Sequence, residues 1–276
     1  TASSNTGIGY KSLYATTSGP SNTAVGYASL TANTTGTANT AVGKNALDAA
    51  TSADQNVAVG YAALSGATTG GANTAIGGEA LITNTTGASN VAVGYLALDA
   101  NTTASFNVAV GRAALGANTT GTANVAVGYN ALDASTTAGS LTAVGFQALS
   151  SSITDIDTVG IGTNAGQNAT TSYSVIVGSQ ANGSGAMTGD SNSYLGYASG
   201  YANTSGANNT GIGRSALGAN TTGTASVAVG MQALDANTTG SYNNGVGVGS
   251  LGANTTGSSN TAIGHAALGG NTSAAN

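Results

Sequence analysis

Residues 56–64 read Asn-Val-Ala-Val-Gly-Tyr-Ala-Ala-Leu, and this stretch decides the fold because close copies of it recur along the 276-residue chain. We use its glycine, Gly60, as the marker of the repeat. The step between markers is 17 residues, except for one step of 16 and one of 18 on either side of Gly178. The sixteen markers are Gly9, Gly26, Gly43, Gly60, Gly77, Gly94, Gly111, Gly128, Gly145, Gly162, Gly178, Gly196, Gly213, Gly230, Gly247 and Gly264.

Each position of the repeat has its own character. The residue before the marker (position −1) is Val or Ile in fifteen copies, and position +4 is usually Leu. The β-branched segment that ends at the marker predicts a short strand, and the residues up to Leu predict a second one. The marker itself predicts a tight bend or a close backbone approach. The following Asn-Thr-Thr-Gly segment predicts a turn, because Asn and Gly are able to take positive φ.

A unit of 17 residues is too short for a helix pair or a propeller blade, but it suits one coil of a parallel β-structure. We therefore predict an all-β fold, a parallel β-solenoid or β-roll of about sixteen 17-residue coils. Val/Ile and Leu would stack in ladders as its core, with Ala filling the narrow interior. The solenoid would span residues 1–276 as a single domain, with regular coils over 5–149 and 209–268 and irregular coils over 150–208, where the 16- and 18-residue steps fall.

The composition favours the same interpretation over disorder. Leu, Ile, Val and Phe make up 45 residues, or 16%, which is below the roughly 20% at which disorder is expected. In a stacked coil, however, every one of these side chains belongs to a ladder. Low charge also fits, because like charges stacked at strand spacing are destabilising.

Charge and residue content exclude several classes of function. Four Lys and Arg and a net charge of −5 cannot form a basic footprint for nucleic acid. The chain has no cysteine for a disulfide or a thiolate metal site, and no apolar run that could span a bilayer. One His and nine scattered acids give no catalytic constellation. We therefore predict no enzyme activity, no cofactor, no metal site, no nucleic-acid partner and no membrane span.

Position +1 carries the most distinctive candidate surface. Aromatic and basic residues recur there and predict an outward-facing stripe that either forms a solvated ladder or binds a partner. The stripe consists of Tyr10, Tyr27, Tyr61, Tyr95, Tyr129, Tyr197, Lys44, Arg112 and Arg214.

The strand motif Asn56-Val-Ala-Val-Gly60-Tyr-Ala-Ala resembles the head repeats of trimeric autotransporter adhesins of the YadA type. Arrays of the form N-T-A-V-G-Y-x-A-L are also similar to repeats of phage and prophage tail-fibre proteins. The resemblance covers nearly the whole chain, from Asn5 to about Leu268. It implies a parallel β-roll, assembly as a homotrimer in the adhesins, and a role in surface attachment.

A second pattern is the N-x-[ST] sequence, which is an acceptor site for N-linked sugar. It either marks glycans along one edge of an extracellular fibre or is simply a good turn sequence. The candidate acceptors at position +7 are Asn33, Asn84, Asn101, Asn118, Asn203, Asn220, Asn237, Asn254 and Asn271.

Together these features predict a structural and adhesive segment of an extracellular, cell-surface or virion fibre. Its repeated surface would attach multivalently to a cell-surface glycan, a receptor or further copies of the same chain. An alternative is a glycosylated fibril subunit that stacks end to end into a polymer. An ice-binding β-solenoid is a minor alternative. It is less favoured because the paired threonines of the repeat fall in the turn rather than on a flat face.

Overall fold

A computed structural model describes residues 2–274, and within this range it contains sixteen short strands and no helix. All paired strands are parallel, and the predicted all-β, parallel β-solenoid class is confirmed. None of the described residues forms a helix that could cross a membrane. The strands are β1 Thr6–Ile8, β2 Thr23–Val25, β3 Thr40–Val42, β4 Val57–Val59, β5 Thr74–Ile76, β6 Val91–Val93, β7 Val108–Val110, β8 Val125–Val127, β9 Thr142–Val144, β10 Val159–Ile161, β11 Val175–Val177, β12 Ser193–Leu195, β13 Thr210–Ile212, β14 Val227–Val229, β15 Asn244–Val246 and β16 Thr261–Ile263.

The chain divides into two compact units, residues 1–140 and 141–276. In the first unit β1 to β8 pair in chain order with a constant offset of 17 residues, as in Thr6↔Thr23. In the second unit β9 to β16 pair in the same way, but Val159 pairs with Val175 and Val175 with Ser193. The 16- and 18-residue steps therefore restore the register within two coils.

The core is built from Ala at position −2 and Leu at position +4. Ala92 and Leu98, for example, are both completely buried. The expectation that Val and Ile at position −1 form the core is wrong, because these side chains point out of the strand on the opposite face from Ala. Val42 and Ile76 are about 40% exposed. Successive residues of a strand face opposite sides, so only one of the two apolar positions can point inward.

The residues between the marker and Leu do not form the predicted second strand. Positions +2 and +4 take left-handed backbone conformations, as in Leu96 (φ 56°) and Leu98 (φ 53°), and the segment is a series of turns. A third residue of each coil, such as Ser89 (φ 58°), is also left-handed. Non-glycine residues rarely adopt this conformation and hold it only where the surrounding structure determines it. Here bonds from one coil to the next do so, such as Leu98 N–H donating to Ala114 O at 3.0 Å.

The marker glycine is required by both conformation and space. Gly94 has φ 137°, which an L side chain rarely adopts, and a Cβ added there would lie 2.5 Å from the carbonyl oxygen of Gly111. The predicted close backbone approach is confirmed at this position, since the neighbouring coil's backbone occupies the space of a side chain.

The Asn-Thr-Thr-Gly turn is closed by its asparagine side chain. Neither Asn33 nor Gly36 has positive φ, so the turn does not use the conformational freedom of these two residues. Instead, Asn33 Nδ2 donates to Gly36 O at 3.1 Å and bridges the turn through its side chain. A Cβ on Gly36 would overlap Ala53 O of the next coil, so this glycine is required by crowding.

A second asparagine, buried in most coils, precedes most of the regular strands and links neighbouring coils. Asn90 Oδ1 accepts from the backbone N–H of Asn107 at 3.0 Å, and Asn90 Nδ2 donates to Ala104 O at 2.9 Å. The same side chain also donates to Asn73 Oδ1 at 3.1 Å. A buried amide is stable here because its donor and its acceptor are both satisfied.

One irregular coil, that of β12, exchanges a large and a small side chain within the core. In the β12 coil Tyr194 replaces the inward Ala and is fully buried, while Gly200 replaces the Leu at position +4. A Cβ on Gly200 would overlap the Tyr194 ring. Burial raises the pKa of the Tyr194 hydroxyl, which donates to Asn192 Oδ1 at 3.4 Å. In this coil the large side chain of the core therefore comes from the strand instead of from position +4.

Candidate functional site: the outward-facing stripe and strand face

The stripe at position +1 projects from the coil just after each strand. The marker glycine turns the chain there, and the next side chain points away from the core. In the first unit the rings of Tyr10, Tyr27, Tyr61 and Tyr95 are about half exposed. Lys44 and Arg112 are also exposed, so the side chains of this column lie side by side on the surface.

Within the first unit the basic side chains lie between tyrosine rings. Lys44 Nζ is 5.9 Å from the ring centroid of Tyr27 and 5.8 Å from that of Tyr61. Arg112 Cζ is 5.9 Å from the ring of Tyr95 and 5.4 Å from that of Tyr129. These are cation–π distances, each contributing about 0.5–1 kcal/mol at an exposed site. The first unit therefore repeats a tyrosine–cation–tyrosine arrangement.

The beginning of the stripe shows direct ring stacking. Tyr10 and Tyr27 stack with their centroids 5.2 Å apart and their planes 21° apart. Lys11 Nζ lies 5.5 Å from the Tyr10 ring and 5.6 Å from the ring of Tyr14. The ring faces of Tyr10 and Tyr27 thus point towards each other across neighbouring coils.

In the second unit the same column is more mixed. Tyr197 and Arg214 occupy consecutive coils, and both are exposed. The Tyr197 hydroxyl donates to Gln180 Oε1 at 3.2 Å. Among the residues that the structure describes, Arg214 lies over no aromatic ring, whereas Lys11, Lys44 and Arg112 each lie over two.

A second outward surface, which the strand pattern alone does not predict, lies beside the stripe. In most strands position −3 is Thr or Val and position −1 is Val or Ile, and both side chains face away from the core. In the first unit Val42, Val57 and Ile76 are each more than a third exposed. One signal in the sequence could have revealed this: in the regular coils position −2 holds only Ala or Gly, as expected of a confined interior.

The candidate glycan acceptors do not lie on the surface. Eight of the nine are completely buried: Asn33, Asn84, Asn101, Asn118, Asn203, Asn220, Asn237 and Asn254. Their Nδ2 atoms donate to the glycine or alanine carbonyl that closes the turn and, in most coils, to the asparagine of the preceding coil, as in Asn118 to Asn101 at 3.1 Å. A sugar on Nδ2 would have to displace the neighbouring coil. These eight residues are therefore not acceptors in the folded chain, and only the ninth, Asn271, is partly exposed.

Four aspartates at position +5 have pKa values raised by partial burial: Asp48, Asp99, Asp133 and Asp235. Backbone hydrogen bonds oppose the rise in each, and Glu79 adds to it at Asp99. The pKa of Asp155 is also raised, by burial and then by the charge of Asp190, against a hydrogen bond from Ser152. Within residues 2–274 no three His, Cys, Asp or Glu side chains gather where they could hold a metal ion.

The outward surfaces therefore offer repeated, shallow contacts that combine aromatic rings, cations and β-branched side chains. Such a surface can bind a partner through many equivalent weak contacts. No protein-family model matches the chain, and no curated protein matches it at a significant level.

Proposed function

We propose that this chain is a structural and adhesive segment of an extracellular, cell-surface or virion fibre, which attaches multivalently through its outward-facing strand surface and stripe. The observation that carries the proposal is the row of Val and Ile side chains at position −1, which are exposed, as Val42 and Ile76 are, or partly exposed. Contiguous exposed apolar surface is typical of interaction sites. Its repetition at every coil supplies many equivalent contacts at a fixed spacing.

The spacing supports a multivalent mechanism. Neighbouring parallel strands lie about 4.8 Å apart, so the same side chains recur at that interval within each unit. Linked weak sites can raise overall avidity by roughly 10² to 10⁴ without a strong single site. The resemblance to adhesin heads and tail fibres agrees with this use of a repetitive surface.

Self-association is the first property to test. A double variant, Val42→Glu with Ile76→Glu, places two charges on the strand face, two coils apart. We expect these changes to leave the fold intact, because both side chains already face solvent. Analytical ultracentrifugation and electron microscopy of the unaltered chain should show assembly that this variant loses.

The matched control is Thr35→Glu with Thr69→Glu. These threonines are exposed in the turn and are also separated by two coils, so the control adds the same charge at the same spacing on another side. It should assemble like the unaltered chain. Loss of assembly in both variants would indicate a general charge effect and contradict a role for the strand face.

Adhesion itself needs a separate measurement. Beads that carry the chain at high density should bind a panel of immobilised cell-surface glycans about 100-fold or more tightly than the single chain does. A chain that neither self-associates nor binds the panel as beads would refute the proposal.

The form of the assembly separates two candidates. A discrete trimer would support the adhesin or tail-fibre type of fibre, and an open polymer that grows with concentration would support an end-to-end fibril. The buried asparagines favour a fibril without N-linked sugar at these eight positions.

Ice binding is less well supported by the structure. In the paired threonines of the turn the first hydroxyl is engaged with the next coil, as in Thr34 Oγ1 donating to Thr51 O at 2.9 Å. A hydroxyl held in this way is less available to organise water. Thermal hysteresis in a cooled solution would reverse this conclusion.

A further inference from the structure

We call the position +1 residue of one coil a rung of the stripe. One rung in the first unit differs from its neighbours. Position +1 in the β5 coil is Gly78, which lies between the coils of Tyr61 and Tyr95. The coils two before and two after it hold Lys44 and Arg112 at this position, each between two tyrosine rings. The Gly78 rung thus has the same flanking tyrosines but no side chain of its own.

The geometry of the filled rungs shows what the open one can accept. Two strand spacings separate Tyr61 from Tyr95, about 10 Å, as they separate the tyrosines on either side of Lys44. A Cβ added to Gly78 would lie 3.5 Å from Cδ2 of Tyr95, which is ordinary van der Waals contact. The Tyr95 ring therefore borders the rung directly, and Gly78 takes a backbone conformation that other residues also adopt.

Charged residues of both signs lie near the Gly78 rung, in sequence or in space. The carboxylate of Glu79 belongs to the same coil, and Asp99 lies close enough to Glu79 to feel its charge. Lys44 and Arg112 lie beyond the two tyrosines and would repel a cation. Each is about 10 Å away by strand spacing, so salt at physiological strength screens this repulsion considerably.

We propose that Tyr61, Gly78 and Tyr95 form a binding slot for one ammonium or guanidinium group of a partner molecule. The guest occupies the place that Lys44 and Arg112 take in the other rungs, over the faces of two tyrosine rings. The slot is independent of the strand-face assembly proposed above, since it lies in the stripe and can be tested on dilute single chains.

The chain itself contains one candidate for the guest. Of the four basic residues, Arg214 is the one that lies over no ring among the described residues. It is exposed, so a second copy of the chain could present it to the slot. A Lys or Arg side chain of another protein supplies the same chemistry, and the two sources can be separated experimentally.

The slot is tested by titrating dilute chain, with its tyrosines isotopically labelled, with tetramethylammonium chloride or arginine amide and following ring signals by NMR. We expect Tyr61 and Tyr95 to shift together along one saturable curve. The Gly78→Arg variant should abolish these shifts, because its own guanidinium fills the slot. Gly78→Ala, the matched control, should retain them. Shifts that are absent, or that persist in Gly78→Arg, would overturn the proposal.

Stability gives a second measure that does not depend on a soluble ligand. Gly78→Arg should unfold about 1–3 °C above Gly78→Ala if the new guanidinium lies between the rings. In a Tyr61→Leu, Tyr95→Leu background this difference should disappear. An equal difference in both backgrounds would show that the rings do not hold the cation.

The source of the guest is resolved by mixing two variants. Labelled Arg214→Gln chain keeps the slot but lacks the arginine, and unlabelled Gly78→Arg chain keeps the arginine but has its slot filled. Shifts of Tyr61 and Tyr95 in the labelled chain on mixing assign the guest to Arg214 of a second copy. Their absence, with a positive titration by arginine amide, assigns the slot to a basic side chain of another protein.

Discussion

Tyr194 and Gly200 make the most demanding test of how the core is packed. Tyr194 fills the interior of the β12 coil from the strand side, and the missing side chain of Gly200 provides the room. Tyr194→Ala should cost about 3–5 kcal/mol, the usual loss for a buried aromatic side chain. Gly200→Leu alone should cost about 1–3 kcal/mol or more, because the new side chain overlaps the ring.

The double variant Tyr194→Ala with Gly200→Leu restores the arrangement of the regular coils, Ala on the strand and Leu at position +4. Gly200 has φ 58°, close to that of Leu217 (φ 53°) in the next coil, so the backbone already suits Leu. Asn192 Oδ1 loses the tyrosine hydroxyl but keeps the N–H of Asn209 at 3.0 Å. We expect the double variant to recover most of the lost stability, with a coupling energy of about 3 kcal/mol.

Urea unfolding followed by circular dichroism would measure the three variants and the unaltered chain. Tyr194→Ala combined with Leu251→Ala, a buried residue three coils away, serves as the control pair and should be additive. If the Tyr194→Ala, Gly200→Leu variant is as unstable as the sum of its two single changes, the exchange of volume does not explain the irregular β12 coil.

Three further predictions concern the backbone, the asparagine ladder and pH. Gly94→Ala should cost about 3 kcal/mol or more because of its φ and its overlap with the next coil. Gly249→Ala, with φ 64° and open space around it, should cost only about 1–2 kcal/mol. Equal losses of stability in thermal unfolding would contradict the close backbone approach at Gly94. Asn90→Ala should cost about 2 kcal/mol by leaving buried groups of neighbouring coils unpaired. Asn90→Ser should cost less, since Ser226 Oγ accepts the next coil's N–H at the same position of another repeat. If Asn90→Ser proved less stable to urea than Asn90→Ala, the asparagine ladder would be refuted. Burial raises the pKa of Asp99 above its ordinary 3.8, so the folded chain binds more protons than the unfolded chain between those two values. Stability should therefore rise as pH falls through this window and decline as pH rises through it. Asp99→Asn should reduce that dependence, and an unchanged pH profile would contradict the assignment.

The repeat length, the fold class and the role of the marker glycine could be predicted because each rests on a column of the sequence. A 17-residue period fixes the register of parallel strands directly, and a glycine that recurs at one position indicates a steric requirement. The pairing of Thr6 with Thr23, and its continuation through the first unit, follows from that period alone.

The direction of the strand side chains could not be predicted in the same way. Val and Ala alternate in the strand and both are apolar, so burial of the larger one was the natural expectation. The decisive factor is that Leu98 and its equivalents enter the interior from the opposite side. The remaining space admits only Ala, and the β-branched residues face outward as a consequence.

The burial of the asparagines at position +7 could not be predicted from the sequence for a different reason. The sequence Asn-Thr-Thr is an acceptor pattern for sugar wherever the asparagine is accessible, and the pattern alone carries no information on accessibility. In the folded chain Asn118 lies within a ladder that joins its coil to the preceding one. Stacking of identical turns is what buries it, and that effect depends on the neighbours rather than on the motif.

The register that recovers between β10 and β12 has a consequence for how such a chain can change length. A coil contacts its neighbours through residues about 17 positions away, and the 16-residue step from Val159 to Val175 is followed at once by an 18-residue step. A gain or loss of one complete repeat in the gene preserves every such contact. A gain or loss of a single codon does not, unless a second change in the adjacent repeat offsets it. Recombination between repeats should therefore produce longer and shorter variants in whole coils, all with the same surface and the same core.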